Sequence, residues 1–133
     1  MDADTMRTGL AQSLLREIAE HLAKLAGTGK AAAIDLLSLP MTPADRAELE
    51  RALGHGEVAA ALDAAGTSEV WETGYAGVWW IRHLGSGDKI ASERIEITRV
   101  PEILLTHRDD IAEAAERLAD DLANHKVKES AHA

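Results

Sequence analysis

Between Gly66 and Thr98 the chain reads as three short alternating stretches separated by glycine turns, and no other segment restricts its fold so strongly. Thr67 to Thr73 alternates, with Ser68, Val70 and Glu72 on one side and Thr67, Glu69, Trp71 and Thr73 on the other. A short turn from Gly74 to Gly77 leads into Val78 to Leu84, and the turn cluster Gly85-Ser86-Gly87-Asp88 leads into Ile90 to Thr98, which stops before Pro101. Successive side chains of a strand point to opposite faces. Connections this short join antiparallel neighbours, because a parallel crossover needs a dozen residues or more. The segment therefore predicts an antiparallel meander.

The flanking segments carry helical periodicity. Leu10, Leu14, Ile18, Leu22 and Leu25 form one apolar stripe that Gly27 and Gly29 end. Thr42-Pro43-Ala44-Asp45 has the chemistry of a helix start: a threonine cap, proline at the first helical position and a carboxylate facing the amide end. That helix should run to Leu53, before Gly54. Thr106-His107-Arg108-Asp109 offers another capping box, ahead of a stripe of Ile111, Ala114, Ala115, Leu118 and Leu122. Ala31 to Leu39, closed by Pro40, leans toward an extended segment. Glu57 to Leu62 leaves strand and helical turn open. The expectation is an α+β domain: an antiparallel three- to four-stranded β-meander packed with N-terminal, middle and C-terminal helices. The length of 133 residues fits one domain, placed at 10–124 with tails at 1–9 and 125–133.

Charge and cysteine content narrow the function. Fourteen lysines and arginines against 23 acidic residues give a formal net charge of -9. Such a surface repels phosphate backbones and anionic lipid, so neither nucleic acid nor membrane is an expected partner. There is no cysteine, which removes thiolate nucleophiles and thiolate-ligated metal sites together. Residues 1–9 lack the apolar core of a secretory signal and the apolar runs are shorter than a membrane span, so the expected location is cytoplasmic.

Searching for catalysis turns up little. His21, His55, His83, His107, His125 and His132 form no pair at metal-binding spacing. Gly54-His55-Gly56-Glu57 lacks the lysine and hydroxyl residue of a phosphate loop and reads as a helix stop and a turn. Asp109-Asp110 and Asp120-Asp121 are adjacent on a helix and point apart. No serine sits in a nucleophile elbow. The expectation is a non-enzyme with no catalytic residue, metal site or cofactor.

The aromatic residues are the exception. Trp71, Tyr75, Trp79 and Trp80 lie within ten residues of each other in a chain with no phenylalanine. Alternation sends Trp79 and Trp80 to opposite faces. Trp79, beside Ile81 and with Val70, Ile95 and Ile97 across from it, is the expected core residue. Trp80, Trp71, Arg82, Arg94, Glu69 and Glu96 are then expected to share the other face. Aromatic rings among arginines and glutamates suit a partner-binding surface, unless the terminal helices cover them.

Four blocks of sequence in order resemble the HupH/HyaF family of hydrogenase accessory proteins. They are Ile34-Asp35-Leu36-Leu37-Ser38-Leu39-Pro40-Met41-Thr42-Pro43-Ala44-Asp45; Leu53-Gly54-His55-Gly56-Glu57-Val58; Glu72-Thr73 with Gly77-Val78-Trp79-Trp80; and Val100-Pro101-Glu102-Ile103-Leu104 followed by Asp109-Asp110-Ile111. The resemblance spans roughly residues 31 to 111 and concerns the C-terminal part of longer family members. It implies a role in maturing nickel–iron hydrogenases, by chaperone-like binding of a hydrogenase subunit or another accessory protein. Some members are linked to the iron–sulfur small subunit. The rivals are a nickel carrier or small enzyme of the same maturation, and a structural subunit retained in the finished complex. Whether the chain dimerises is left open.

Overall fold

The computed structural model describes residues 5–63 and 66–125, and the chain divides into two compact units between Pro101 and Glu102. The first unit opens with α1 (Leu10–Thr28), which Gly29 ends in the left-handed conformation. Then come β1 (Ala32–Asp35), a 3-10 turn over Leu36–Ser38, and α2 (Pro43–Leu53). Four strands follow: β2 (Ala59–Asp63), β3 (Thr67–Glu72), β4 (Val78–Leu84) and β5 (Ile90–Ile97). All pairings are antiparallel, in the order β1-β5-β4-β3-β2.

The α+β class is as expected, with five strands where the sequence suggested three or four. Ala31 to Leu39 holds a strand and a helical turn in succession. The alanine-rich stretch after Glu57 resolves as β2, an edge strand whose alanines gave little alternation to read.

The sequence start of α2 works as its residues suggest. Thr42 accepts from the Asp45 amide at 3.0 Å, and the Asp45 carboxylate accepts from the Thr42 amide at 3.3 Å. Asp45 reaches further: it also accepts from the Thr8 amide at 2.8 Å and the Thr8 hydroxyl at 2.6 Å. Burial pushes its carboxyl upward, but the hydrogen bonds from Thr8 and Thr42 outweigh that and hold it below the ordinary range. Thr42→Ala is expected to cost about 1 kcal/mol, the usual value of a cap. Because the folded pKa of Asp45 is depressed, its contribution is complete above the unfolded value of about 3.9 and is lost as pH falls through the folded one. Urea unfolding of both chains at pH 7 and pH 3 checks both statements.

One face of the sheet carries the core. Ala11, Leu14 and Ile18 of α1 and Leu49 and Leu53 of α2 cluster with Ile34, Trp71, Val78, Trp80, Ile95 and Ile97. Trp79 is buried on the opposite face, as are Val70 and Ile81, and its ring nitrogen donates to the Thr98 carbonyl at 3.1 Å. Its expected companions Ile95 and Ile97 are on the helix side instead, paired with Trp80 and Val78.

A bulge causes this exchange. Leu84 pairs with Ile90, but His83 pairs with Ser92, so Ala91 has no partner of its own. One extra residue in a strand moves everything beyond it to the other face. Without the bulge, continued pairing from Leu84 and Ile90 would set Trp80 against Arg94. With it, Trp80 meets Ile95.

The second unit contains a 3-10 turn over Glu102–Leu104 and α3 (Arg108–Ala123). The expected capping box does not form there: His107 is the cap residue and makes no side-chain cap bond. A histidine at this position cannot offer the short hydroxyl or carboxylate acceptor that a cap requires. The stripe residues Ile111, Leu118 and Leu122 are exposed. The C-terminal tail lies beyond the described residues, apart from His125.

Candidate functional site

Two tryptophans from neighbouring strands are the foundation of the site. Trp71 on β3 and Trp80 on β4 pair directly, so they share a face, and their rings stack at 5.6 Å with an interplanar angle of 8°. His55 stacks on the other side of Trp71 at 4.9 Å and 13°. Local backbone explains why a loop residue is held there. Gly54 takes a positive φ of 68° that favours glycine. The Gly56 amide donates to the Glu72 carbonyl at 2.7 Å, and a Cβ on Gly56 would lie 2.6 Å from the Thr73 carbonyl oxygen. Only a glycine lets this loop lie so close to the end of β3, and His55 is fixed between the two.

Beneath the stack is a buried charge. Glu93 shares the core face with Ile95 and Ile97, and its side chain is 0% exposed. It accepts from the Trp80 ring nitrogen at 2.9 Å and from Arg82 Nε at 2.6 Å, and its other oxygen pairs with Arg46. Arg82 in turn lies over Trp71 at 5.2 Å and Trp80 at 6.0 Å, within cation–π range. Burial and the nearby Arg82 pull the Arg46 guanidinium below its ordinary pKa, but an arginine stays charged in proteins. Two guanidiniums and an indole thus surround one carboxylate, and a charge in a core requires such opposite charge beside it.

The outer part of this assembly opens to solvent. Glu50, His55, Glu69, Trp71 and Arg82, with the alanines of β2, line a cavity of about 480 Å³. Arg82 Nη2 is 3.6 Å from Glu50 and Nη1 is 4.0 Å from Glu69. Of the six residues expected to form one surface, the structure brings together Trp71, Trp80, Arg82 and Glu69. Both tryptophans are buried on the helix-covered face, Trp80 at 0% and Trp71 at 6% exposure, so the expected open aromatic surface is not displayed there, and of the two only Trp71 borders the cavity. Arg94 and Glu96 do not join them. They pair with each other at 2.6 Å on the Trp79 face, carried there by the bulge at Ala91.

Sequence reasoning missed Glu93, Arg46, Glu50 and His55. A signal for Glu93 existed: alternation puts it on the face of Ile95 and Ile97, and a carboxylate in that position demands cationic partners.

The arrangement offers aromatic, cationic and acidic groups to a cavity and places no thiol or hydroxyl nucleophile among its lining residues. On the other face the Ser68 hydroxyl and His83 Nδ1 are 2.7 Å apart, but Ser68 is only 6% exposed, which keeps a substrate from it. Among the described residues no group of three or more histidines, aspartates or glutamates is placed to hold a metal ion. No described helix is long and apolar enough to cross a membrane.

Helices packed on one face of an antiparallel sheet define an α+β domain of the kind found in a hydrogenase expression protein. A solved structure described as the hydrogenase expression protein HupH from Thiobacillus denitrificans matches 90% of this chain and 99% of its own, with a TM-score of 0.85 and 44% identity. Residues 10–125 match the family described as HupH hydrogenase expression protein, C-terminal conserved region, and the chain belongs to that family. Curated relatives include hydrogenase expression/formation protein HoxQ of Azotobacter vinelandii, 31% identical over 66% of this chain and 31% of its own length. Hydrogenase expression/formation protein HupH of Rhizobium leguminosarum bv. viciae is 30% identical over 80% of this chain and 38% of its own. The hydrogenase-1 operon protein HyaF of Escherichia coli is 32% identical over 65% and 30%. The match thus spans about a third of the length of these curated relatives.

Proposed function

We propose that this chain is an accessory protein of hydrogenase maturation that binds a hydrogenase subunit during assembly, in the manner of a chaperone, and catalyses no step itself. The observation that carries this reading is the match of residues 10–125 to the HupH C-terminal region. It is supported by a solved relative of nearly the same extent, itself described as a hydrogenase expression protein. The site chemistry is consistent with such work. Tryptophan and arginine dominate the energetics of protein interfaces, and Trp71 and Arg82 are held rigidly at the wall of an open cavity. A preorganised wall loses little side-chain entropy when a partner arrives. The proposed contact residues are Glu69, Trp71 and Arg82, with Glu50 and His55 beside them.

The test is affinity capture of a tagged chain from cells expressing a hydrogenase operon, before and after maturation is allowed to finish. Recovery of an immature subunit, and its release from the chain in the mature enzyme, supports the accessory role. Retention of the chain in mature enzyme would make it a structural subunit instead. Recovery of no hydrogenase component would overturn the proposal.

A further inference from the structure

The strand order leaves the outer edge of β2 without a neighbouring strand among the described residues. Which backbone groups face outward follows from the ladder. The Glu72 amide donates to the Val58 carbonyl at 2.9 Å, and the next pairs are Ala59 with Trp71, Ala60 with Val70 and Ala61 with Glu69. Bonded and non-bonded pairs alternate in an antiparallel ladder. Ala60 and Leu62 therefore spend their amides and carbonyls on β3, and Val58 its carbonyl, while Ala59, Ala61 and Asp63 turn theirs away from it. Natural edges are guarded by lysine, proline or a bulge. Ala59-Ala60-Ala61-Leu62-Asp63 has neither residue, and its pairing with β3 is regular.

What lies beside this edge selects the occupant. Ala59 and Ala61 are opposite Trp71 and Glu69, so their methyl groups face the same side as the cavity wall. Longer side chains there would fill the cavity that these alanines leave open. Glu50 and Glu69 line it, and Asp63 ends the strand on the same face. Arg82 is shared among buried Glu93 at 2.6 Å, Glu50 at 3.6 Å and Glu69 at 4.0 Å, and His55 is 3.8 Å from Glu50, so one arginine at the wall faces the carboxylates of Glu50, Glu69 and Asp63 and the balance stays acidic. An incoming strand thus meets outward backbone groups and an acidic trough with an aromatic floor.

We infer that β2 accepts an extended segment of a partner protein that carries arginine or lysine at alternate positions. Its backbone would complete the groups of Ala59, Ala61 and Asp63. Its basic side chains would cross the two alanines toward Glu69 and Glu50, their stems against the Trp71–His55 stack. Strand addition takes its affinity from main-chain bonds and its specificity from alternate side chains. A second copy of this chain is a poor occupant, because β2 offers no cation and each copy carries a net charge of -9. The inference rests on reading the chain as a partner-binding protein, and adds the mode of binding.

The test uses the full chain and two capped ten-residue peptides, one alternating valine with arginine and one alternating valine with glutamate. Amide NMR shifts and fluorescence anisotropy report binding. The arginine peptide is expected to bind, to weaken with added salt, and to shift the amides of Ala59, Ala61 and Asp63 most. The glutamate peptide is expected not to bind. Ala61→Pro removes an outward N–H and no bond to β3, and should weaken the arginine peptide about tenfold. Glu69→Gln leaves the backbone intact and should weaken it several-fold, so the outcome does not depend on Ala61→Pro folding. Equal binding of both peptides, shifts centred away from β2, or full binding by a folded Ala61→Pro chain would overturn the inference. A chain that captures a hydrogenase subunit but ignores both peptides would overturn the strand mode and leave the accessory role standing.

Discussion

Trp80→Ala is expected to lose about 3–5 kcal/mol of folding stability, the range for truncating a buried aromatic ring. A small domain holds only about 5–15 kcal/mol in all, so the variant should be largely unfolded or poorly soluble near 37 °C. Trp80 has 0% exposure and three dependents. Trp71 stacks on it, Glu93 accepts its ring N–H, and Arg82 lies over it. A cavity in its place would loosen the wall of the candidate site as well as the core. Thermal melting followed by circular dichroism checks this. An unchanged melting curve would mean that Trp80 is not packed under the helices.

The charged cluster leads to the other large effect. Arg46→Met combined with Arg82→Met should cost about 3–5 kcal/mol, the penalty for stranding one partner of a buried ion pair. The two guanidiniums are 27% and 19% exposed, so their own loss is partly screened by solvent. The larger share comes from Glu93, which is left fully buried with only an indole N–H. Adding Glu93→Gln to the double variant should therefore restore most of the lost stability, because the network is then neutral instead of broken. Urea denaturation of the double and triple variants at pH 7 measures the difference. Equal stability of the two would show that the carboxylate carries no such penalty.

Much of the architecture was legible because its signals are local. Periodicity places α1, Thr42 and Asp45 place the start of α2, and β3, β4 and β5 follow from alternation between glycine turns. The edge strands were harder. β2 is mostly alanine, whose small side chain marks neither face strongly, and β1 is four residues inside a longer apolar stretch. The candidate site was legible in half. Trp71, Trp80, Arg82 and Glu69 share one face because they lie on either side of a single tight turn. Arg94 and Glu96 were misplaced because alternation fixes which residues of a strand go together, not which face they take. That choice was made at Ala91, a bulge residue with no side-chain signature. Arg46, Glu50 and His55 come from α2 and the loop after it, and only tertiary packing brings them to the tryptophans.

The strand order also implies a timetable. Strands β2 to β5 follow one another in sequence and pair with their neighbours, so each pairing closes a short loop. β1 is different: Ala32 pairs with Ile97, the other end of the sheet's sequence. Long loops cost more entropy to close and their contacts form late. On a ribosome, β1 must wait until β5 has been made, with α1 waiting beside it. The hypothesis that follows is a meander that assembles first and an N-terminal strand that docks last and opens first. Native-state hydrogen exchange would show it as β1 amides exchanging before those of β4, and uniform protection of the two strands would rule it out.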